Sequence, residues 1–263
     1  MKKESVFYEK LSYHTHPCLG EELYDGWLLR FAEGYTKRAN SVNVIGGSAI
    51  AYEDKITYCE EKYVQHKLPP VFKITPPALD IDELLEERGY LAVDKTNVMT
   101  VDLTQKGKKQ TKCDGADKCG GADVLGAGNV SVTIEEKFTE NWQYYYFTFN
   151  KVAVAAIPTA KKIQAKITNP VLCATVYVGK KAVACGLGVM EQGCVGLLDI
   201  VVKEEYRGCG FGKVLCQALL EKAKEKGATT GYLQVVDSNE VAKKLYESLG
   251  FEDVYSYWYR VKY

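Results

Sequence analysis

The chain has 263 residues, with 34 Lys plus Arg against 34 Asp plus Glu, so its formal net charge is zero. It therefore lacks the basic balance typical of nucleic-acid-binding proteins. A hydrophobic share of 46% is enough for a sizeable core, and no apolar run reaches the roughly 20 residues of a membrane helix. The start, MKKESVFYEK, lacks a signal-peptide apolar stretch, and nine scattered cysteines indicate free thiols in a reducing compartment. These features predict a cytoplasmic protein with no membrane or nucleic-acid partner.

The first part of the chain alternates short strands with helices. Apolar runs bounded by turn residues predict strands over 27–31, 41–45, 71–74 and 91–103. Helical patterns are predicted over 53–67 and 81–90, the second of which ends at Gly89.

A composition break separates this part from the rest. Residues 105–129 are rich in Lys, Gly and Asp and have almost no apolar periodicity, which predicts a linker or a long surface loop. Cys113 and Cys119 lie in it, but a zinc site needs a second pair of ligands, and the sequence has none. We therefore expect no metal.

The second part again mixes both element types. Strands are predicted over 130–136, over 232–236, and over three stretches of 171–202 that turn at Gly179 and Gly193. Helices are predicted over 140–149, 157–167 and 213–227. A last helix is expected to have Ser238 as its N-cap and Gly250 as its stop, followed by an aromatic strand.

The two parts share one internal echo. Residues 84–103 align with residues 245–263, so that Leu84 meets Leu245, Gly89 meets Gly250 and Tyr90 meets Phe251. The echo favours duplication of one unit, although helix–glycine–strand units are also common without duplication.

The stretch EYRGCGFG, residues 205–212, places three glycines between a strand and a helix. Backbone N–H groups at such a helix start bind anions, most often phosphate, and glycine lets the phosphate come close. The dinucleotide pattern fails because Lys213 occupies the third glycine position, and the Walker pattern fails at Arg207 and Val214. The pattern that fits is R-x-x-G-x-G. A tight connection without a ligand is the alternative, but three glycines and an arginine favour a ligand.

This loop resembles that of the GNAT superfamily of N-acetyltransferases, in which a strand, an Asn and a block like LYESLGF form the second half of the cofactor site. Here these are the strand YLQVV, Asn239 and LYESLGF. The resemblance covers about residues 130–263 and departs from the family pattern at Glu204, where Pro is common. It implies a mixed α/β fold with a twisted, mostly antiparallel sheet flanked by helices. With the echo, it implies two tandem GNAT-like halves: a degenerate half over 1–104 and an acetyltransferase domain over 130–263.

The resemblance also implies roles for particular residues. The co-substrate acetyl-CoA would be bound by the end of the strand, the glycine loop and the last helix, namely by Ile200, Val201, Val202, Arg207, Gly208, Cys209, Gly210, Phe211, Gly212, Lys213 and Asn239. Tyr246 would be the acid that protonates the departing thiolate. Asp199 is either the base that takes the amine proton through water or an ordinary polar strand residue, and Glu191 and His66 are weaker candidates.

The first part would then be a non-catalytic partner. It has no R-x-x-G-x-G pattern, and Leu85 stands where Tyr246 stands in the second part. The stretch 26–43 resembles the start of some bacterial proteins with a leading GNAT-like half. Its polar residues Arg30, Arg38, Asn40 and Asn43 either bind an acceptor's carboxylate or carbonyl, as Arg suits bidentate binding, or belong to a solvated hairpin.

The function implied is transfer of an acetyl group from acetyl-CoA to a primary amine by direct attack in a ternary complex. The acceptor would be a small-molecule or peptide amine. Two alternatives stay open: a CoA-binding or sensing module without turnover, and an acyltransferase that uses a longer acyl-CoA.

Overall fold

A computed structural model describes residues 2–105 and 129–262. Cys113, Cys119 and all but the ends of the predicted linker lie outside these residues. The described residues form seven α-helices: α1 (Lys2–Thr15), α2 (Tyr52–Gln65), α3 (Asp82–Glu87), α4 (Glu140–Phe149), α5 (Ile157–Ala165), α6 (Phe211–Glu225) and α7 (Glu240–Glu247). They also form eleven strands: β1 (Gly20–Tyr24), β2 (Trp27–Phe31), β3 (Val42–Val44), β4 (Val71–Ile74), β5 (Leu91–Asp102), β6 (Val130–Glu135), β7 (Val171–Val178), β8 (Lys181–Glu191), β9 (Cys194–Val202), β10 (Thr230–Val236) and β11 (Glu252–Val261).

All eleven strands belong to one sheet, in the order β1-β2-β3-β4-β11-β5-β10-β9-β8-β7-β6. Two neighbouring pairs, β3 with β4 and β9 with β10, are parallel, and the other described pairs are antiparallel. The predicted mixed α/β class with a mostly antiparallel sheet is confirmed.

The last strands of the two parts have changed places at the middle of the sheet. Strand β5 comes from the first part, yet it pairs with β10 and β11 of the second part. Strand β11 in turn pairs with β4 of the first part. The sheet is therefore continuous across both parts, and the division at 105–129 stays a prediction.

The internal echo, residues 84–103 and 245–263, contains the two exchanged strands β5 and β11. The units α3–β5 and α7–β11 both turn at a glycine in the left-handed region, Gly89 with φ +85° and Gly250 with φ +87°. Both are followed by a buried aromatic, Tyr90 and Phe251. The repeated units meet as antiparallel neighbours, because β5 pairs with β11.

Separate apolar cores stabilise the two ends of the sheet. In the first part, Trp27, Tyr63 and Phe72 are fully buried between the strands and α2. In the second part, α6 packs through Leu215 and Leu219 on β7, β8 and β9. Helix α4 packs through Trp142, whose indole N–H donates to the carbonyl of Ala174 at 3.1 Å.

The sequence did not predict α1 or β1. Helix α1 buries polar side chains as well as Leu11, so it lacks the apolar stripe that marks an amphipathic helix. Its Glu9 accepts hydrogen bonds from Lys73 Nζ at 2.5 Å and from the Tyr255 hydroxyl at 2.8 Å. Within the described ranges, no helix is long and apolar enough to cross a bilayer.

Candidate active site

Strands β9 and β10 separate part-way along their length. They pair from Cys194 with Thr230 to Leu197 with Leu233 and no further, while β9 stays paired with β8 up to Val202. The separation opens a cavity of about 230 Å³. Its lining comes from both parts of the chain: Thr15, Arg38, Gly196, Leu197, Leu198, Asp199, Ile200, Tyr232, Leu233, Gln234, Val235, Val236, Asn239, Ala242 and Tyr246.

A β-bulge lies where the strands separate. Between two paired positions, β9 has Asp199 and Ile200 where β8 has only Gly186. Asp199 has φ +54°, a left-handed conformation that is rare for residues other than glycine. Gly186 allows the bulge because a Cβ there would lie 2.5 Å from Ile200 Cδ1. Both bulge residues line the cavity.

The glycine loop follows β9 and leads into α6, as the sequence predicts. Gly208 and Gly210 have φ values of +78° and +81°, and Gly210 is the N-cap of α6. No described side chain caps this helix start, so the N–H groups of Phe211 and Gly212 are open to an anion, whereas that of Lys213 donates to the Gly210 carbonyl at 3.0 Å. Arg207 Nε donates to the carbonyl of Val202 at 3.3 Å, which ties the loop to β9.

The other residues of the loop have different surroundings. A Cβ on Gly212 would lie 3.1 Å from Leu245 Cδ2, so this glycine allows α7 to pack closely on α6. The Phe211 side chain is buried in the core, and only its backbone can face a ligand. Cys209 packs against the same core and is disulfide-bonded, so the prediction of a free thiol is wrong for this residue, and Lys213 lies in the first turn of α6.

Helix α7 brings Tyr246 and Asn239 to the cavity. The Tyr246 ring packs edge-on against Phe251 with centroids 5.9 Å apart, and no described residue hydrogen-bonds its hydroxyl. Burial raises the pKa of Tyr246, so the phenol is a proton donor at neutral pH. Asn239, not the predicted Ser238, is the N-cap of α7, because its Oδ1 accepts from the amide of Ala242 at 3.1 Å.

Asp199 lies in a shielded environment beside Arg38. Burial raises the pKa of the Asp199 carboxyl, and the positive charge of Arg38 opposes that rise. Burial first, and the charge of Asp199 second, raise the pKa of Tyr146 on α4. The Tyr146 and Tyr35 hydroxyl oxygens are 3.2 Å apart. A carboxyl with a raised pKa in a cleft is suited to proton transfer.

Arg38 brings the first part of the chain to this cavity. It lies in the 3₁₀ helix Lys37–Ala39, and its buried Nε has no hydrogen-bond partner among the residues that the structure describes. The other three polar residues predicted with it do not line the cavity. Arg30 instead donates to the carbonyls of Tyr13, His16 and Arg38.

The side chains of Asn40 and Asn43 also bond to the backbone instead of lining the cavity. Asn40 Oδ1 accepts from the amides of Ala32 at 2.6 Å and Gly34 at 3.0 Å, and Asn43 Nδ2 donates to the carbonyl of Ser41 at 2.8 Å. Both side chains are buried because they complete the backbone hydrogen bonds of the turns around β2 and β3.

The chain is similar to known acetyltransferases in sequence and in fold. The family described as "Probable histone acetyltransferase Rv0428c C-terminal" matches residues 8–260. The chain belongs to this family, within the GNAT superfamily. It is 29% identical over 262 residues to the uncharacterized N-acetyltransferase YobR of Bacillus subtilis, covering 97% of each chain.

A shorter match and a solved structure extend the comparison. The [ribosomal protein bS18]-alanine N-acetyltransferase of Haemophilus influenzae is 47% identical over 58 residues, which are 22% of this chain and 39% of that protein. The GCN5-related N-acetyltransferase from Kribbella flavida superposes with a TM-score of 0.69 at 11% identity, covering 98% of this chain and 95% of that one. The latter likeness shows the fold.

Two weaker candidates for the base do not line the cavity between β9 and β10. His66 follows α2 and stacks on Phe31 with ring centroids 3.9 Å apart. Glu191 accepts from His14 Nδ1 at 2.8 Å at the far end of β8. Over residues 2–105 and 129–262, no three His, Cys, Asp or Glu side chains are close enough to hold a metal ion.

Among the polar residues that line the cavity, Thr15, Tyr232 and Gln234 were not singled out from the sequence, although the resemblance assigned the strand YLQVV, which holds the last two, to the cofactor site. Thr15 ends the unpredicted helix α1. Gln234 interrupts the apolar run YLQVV, and a polar residue inside a buried strand was the available signal. Tyr232 had no such signal, because tyrosine is common in strands.

Proposed function

We propose that the protein transfers an acetyl group from acetyl-CoA to a primary amine by direct attack in a ternary complex. The observation that carries this proposal is the cavity at the bulge of β9, which joins Asp199 and Tyr246. The uncapped start of α6 follows the same strand, so an anionic tail and a reactive group can be held by one continuous stretch of chain.

The described residues fit acetyl-CoA as the donor. Its pyrophosphate would lie at the start of α6, where Gly208, Gly210 and Gly212 present no side chains and Arg207 adds positive charge. Its amide-containing arm would follow the edge of β9 that lacks a partner strand, where the backbone of Ile200, Val201 and Val202 offers hydrogen bonds.

The reaction begins when the acceptor loses a proton. An alkyl amine has a pKa of about 10.4, so it is mostly protonated at neutral pH. Asp199 takes one proton from the ammonium group, directly or through water. The neutral nitrogen then forms a bond to the acetyl carbon, and a backbone N–H at the bulge donates to the resulting oxyanion.

The intermediate collapses when the carbon–sulfur bond breaks. Tyr246 donates its phenolic proton to the departing thiolate, and the nitrogen releases its surplus proton to solvent, which leaves an N-acetyl amine and CoA. A thiol has a pKa of about 8.5, so the thiolate is already a fair leaving group. The acid therefore assists a step that is possible without it.

A CoA-binding module without turnover is the alternative function. The enzyme is favoured because Asp199 and Tyr246 line one cavity, and no described residue hydrogen-bonds the Tyr246 hydroxyl. A cavity of about 230 Å³ shared by acyl group and acceptor favours acetyl over longer chains. The proposal also includes a cytoplasmic location and a peptide or small-molecule amine as acceptor.

The test is thiol release from acetyl-CoA by the purified protein with a panel of primary amines, with products identified by mass spectrometry. We expect amine-dependent release of CoA and an N-acetylated product, with slower release from butyryl-CoA. Binding of acetyl-CoA with no amine-dependent release would support the non-catalytic alternative.

A further inference from the structure

The side of the cavity formed by Arg38, Tyr232 and Gln234 carries unused hydrogen-bond donors. Seven buried side-chain N or O atoms of the described residues lack a hydrogen-bond partner, and three of them belong to these cavity residues: Arg38 Nε, Tyr232 Oη and Gln234 Nε2. Buried donors without partners cost stability. Their concentration in one cavity indicates a ligand that carries hydrogen-bond acceptors.

The orientation of Gln234 supports this reading of the cavity. The Tyr257 hydroxyl donates to Gln234 Oε1 at 3.1 Å, so the amide nitrogen is the group left for a ligand. Tyr232 pairs with Gly196, and its ring lies over that glycine, since a Cβ at Gly196 would lie 2.8 Å from the Tyr232 hydroxyl oxygen. Both donors therefore lie on strand β10 in positions set by their neighbours.

Arg38 adds a cation without a matching anion. No carboxylate of residues 2–105 and 129–262 lies within salt-bridge distance of it, although Asp199 lines the same cavity. A partly buried guanidinium and a separate carboxylate in one cavity are complementary to a ligand that carries both charges. Arg binds carboxylates through two parallel hydrogen bonds.

We propose that the acceptor is an α-amino acid, with its carboxylate bound by Arg38, Tyr232 and Gln234 and its amino group beside Asp199. The inference rests on the proposed acetyl transfer and names its substrate class. Only one carbon separates the two charged groups of an α-amino acid, so both can interact within one small cavity. A lysine side chain of a peptide has no carboxylate near its amine and would leave Arg38 unpaired.

The test compares each common L-amino acid with its carboxamide as acceptor, using the full chain, acetyl-CoA and CoA release. A lysine peptide with blocked termini is a third acceptor. We expect kcat/KM for the preferred free amino acid to exceed that of its carboxamide by about tenfold or more, because a site built for a charged group discriminates strongly against its absence.

The variant Arg38→Gln should reduce this ratio to near one, mainly by raising KM for the free amino acid. Arg88→Gln is the matched control, because Arg88 pairs with Glu60 and does not line the cavity; its ratio should equal that of the wild type. Calorimetry with acetyl-CoA checks that both variants still bind the donor.

The outcomes separate the two proposals. Equal rates for amino acids and carboxamides, or a preference for the lysine peptide, would overturn the α-amino acid assignment and leave the acetyltransferase proposal standing. Acetyl-CoA binding without transfer to any acceptor would overturn both. The wild-type comparison is decisive even if Arg38→Gln fails to fold.

Discussion

Asp199 differs from an ordinary strand residue in both its backbone and its surroundings. Its φ of +54° belongs to the bulge that directs it into the cavity, and burial raises the pKa of its carboxyl. Strained, shielded carboxyl groups are typical of functional sites. Whether Asp199 is the base or an ordinary polar strand residue can therefore be tested through the pH dependence of the rate.

We expect kcat/KM to fall at low pH as Asp199 becomes protonated, because only the carboxylate accepts the amine proton. Arg38 lowers the pKa of Asp199, so Arg38→Gln should move this acidic limb to higher pH. Asp199→Asn should remove the limb and lower the rate at every pH. A pH–rate profile of the three proteins measures this, and an unchanged limb in Asp199→Asn would exclude Asp199 as the base.

Tyr246 is the second residue whose role can be tested alone. Tyr246→Phe keeps the ring and its packing on Phe251, so acetyl-CoA binding should weaken by no more than one hydrogen bond, about 0.5–1.5 kcal/mol. Loss of the acid should lower kcat and kcat/KM together, by about 10²- to 10⁴-fold.

Steady-state kinetics and calorimetry measure these two effects. Tyr177→Phe, on strand β7 and outside the cavity, is the control for removal of a phenol hydroxyl. A Tyr246→Phe enzyme with wild-type kcat would show that another group or water protonates the thiolate.

At the scale of elements, the two ends of α6 allow a matched test of the glycine loop. Gly208 and Gly227 have φ values of +78° and +94°, and a Cβ on either would meet no atom within 4 Å. Gly208→Glu and Gly227→Glu should therefore lower the free energy of unfolding by similar amounts, about 1–2 kcal/mol for a left-handed residue.

Only Gly208→Glu places a carboxylate beside the open helix start. We expect it to weaken acetyl-CoA binding by about tenfold or more through charge repulsion, while Gly227→Glu binds normally. Calorimetry and chemical unfolding measure the two quantities. Normal binding by Gly208→Glu would place the phosphate site elsewhere.

In the first part, the connection between β3 and α2 binds a carboxylate of the protein itself. Residues 45–51 join β3 to α2 as the glycine loop joins β9 to α6. The Asp25 carboxylate accepts from the amides of Ala49 and Ile50, both at 2.9 Å, and lies 3.2 Å from the buried Lys55 Nζ. These bonds, led by that from Ile50, lower the pKa of Asp25 to about 2. The amides of this connection are thus already bound to an anion of the protein itself.

For the whole molecule, this arrangement predicts one acetyl-CoA per chain. Leu85 is fully buried and supplies no acid, and the Asp25 carboxylate would repel a second pyrophosphate. Calorimetric titration should give a stoichiometry of one. A value of two would show that the first part has kept a donor site.

The exchange of β5 and β11 predicts that neither part folds alone. A fragment of residues 130–263 lacks β5 between β10 and β11, and a fragment of residues 1–104 lacks β11 between β4 and β5. Each would expose unpaired strand edges at the middle of the sheet. Expressed separately, they should be unfolded or aggregated by circular dichroism and size-exclusion chromatography. Expressed together, they should co-purify as a one-to-one complex, and a folded monomer of either fragment would contradict this.

The sequence by itself determined most of the elements and the resemblance to the GNAT superfamily. Glycines that end helices and apolar residues that alternate along strands are signals carried by neighbouring residues. For this reason β5, β7 to β10 and α4 to α7 were predicted within a few residues. The glycine loop with Arg207 and the block LYESLGF with Tyr246 indicated the GNAT superfamily. Each of these motifs is one continuous stretch of chain, so it can be recognised without knowing which distant residues it contacts.

Tertiary structure alone decided which distant residues meet. The exchange of β5 and β11, the polar helix α1 and the Asp25–Lys55 pair depend on contacts between segments far apart in sequence, which no local pattern encodes. For the same reason Arg30, Asn40 and Asn43 could not be told from Arg38. All four are polar residues near strands, but only Arg38 is carried to the cavity between β9 and β10.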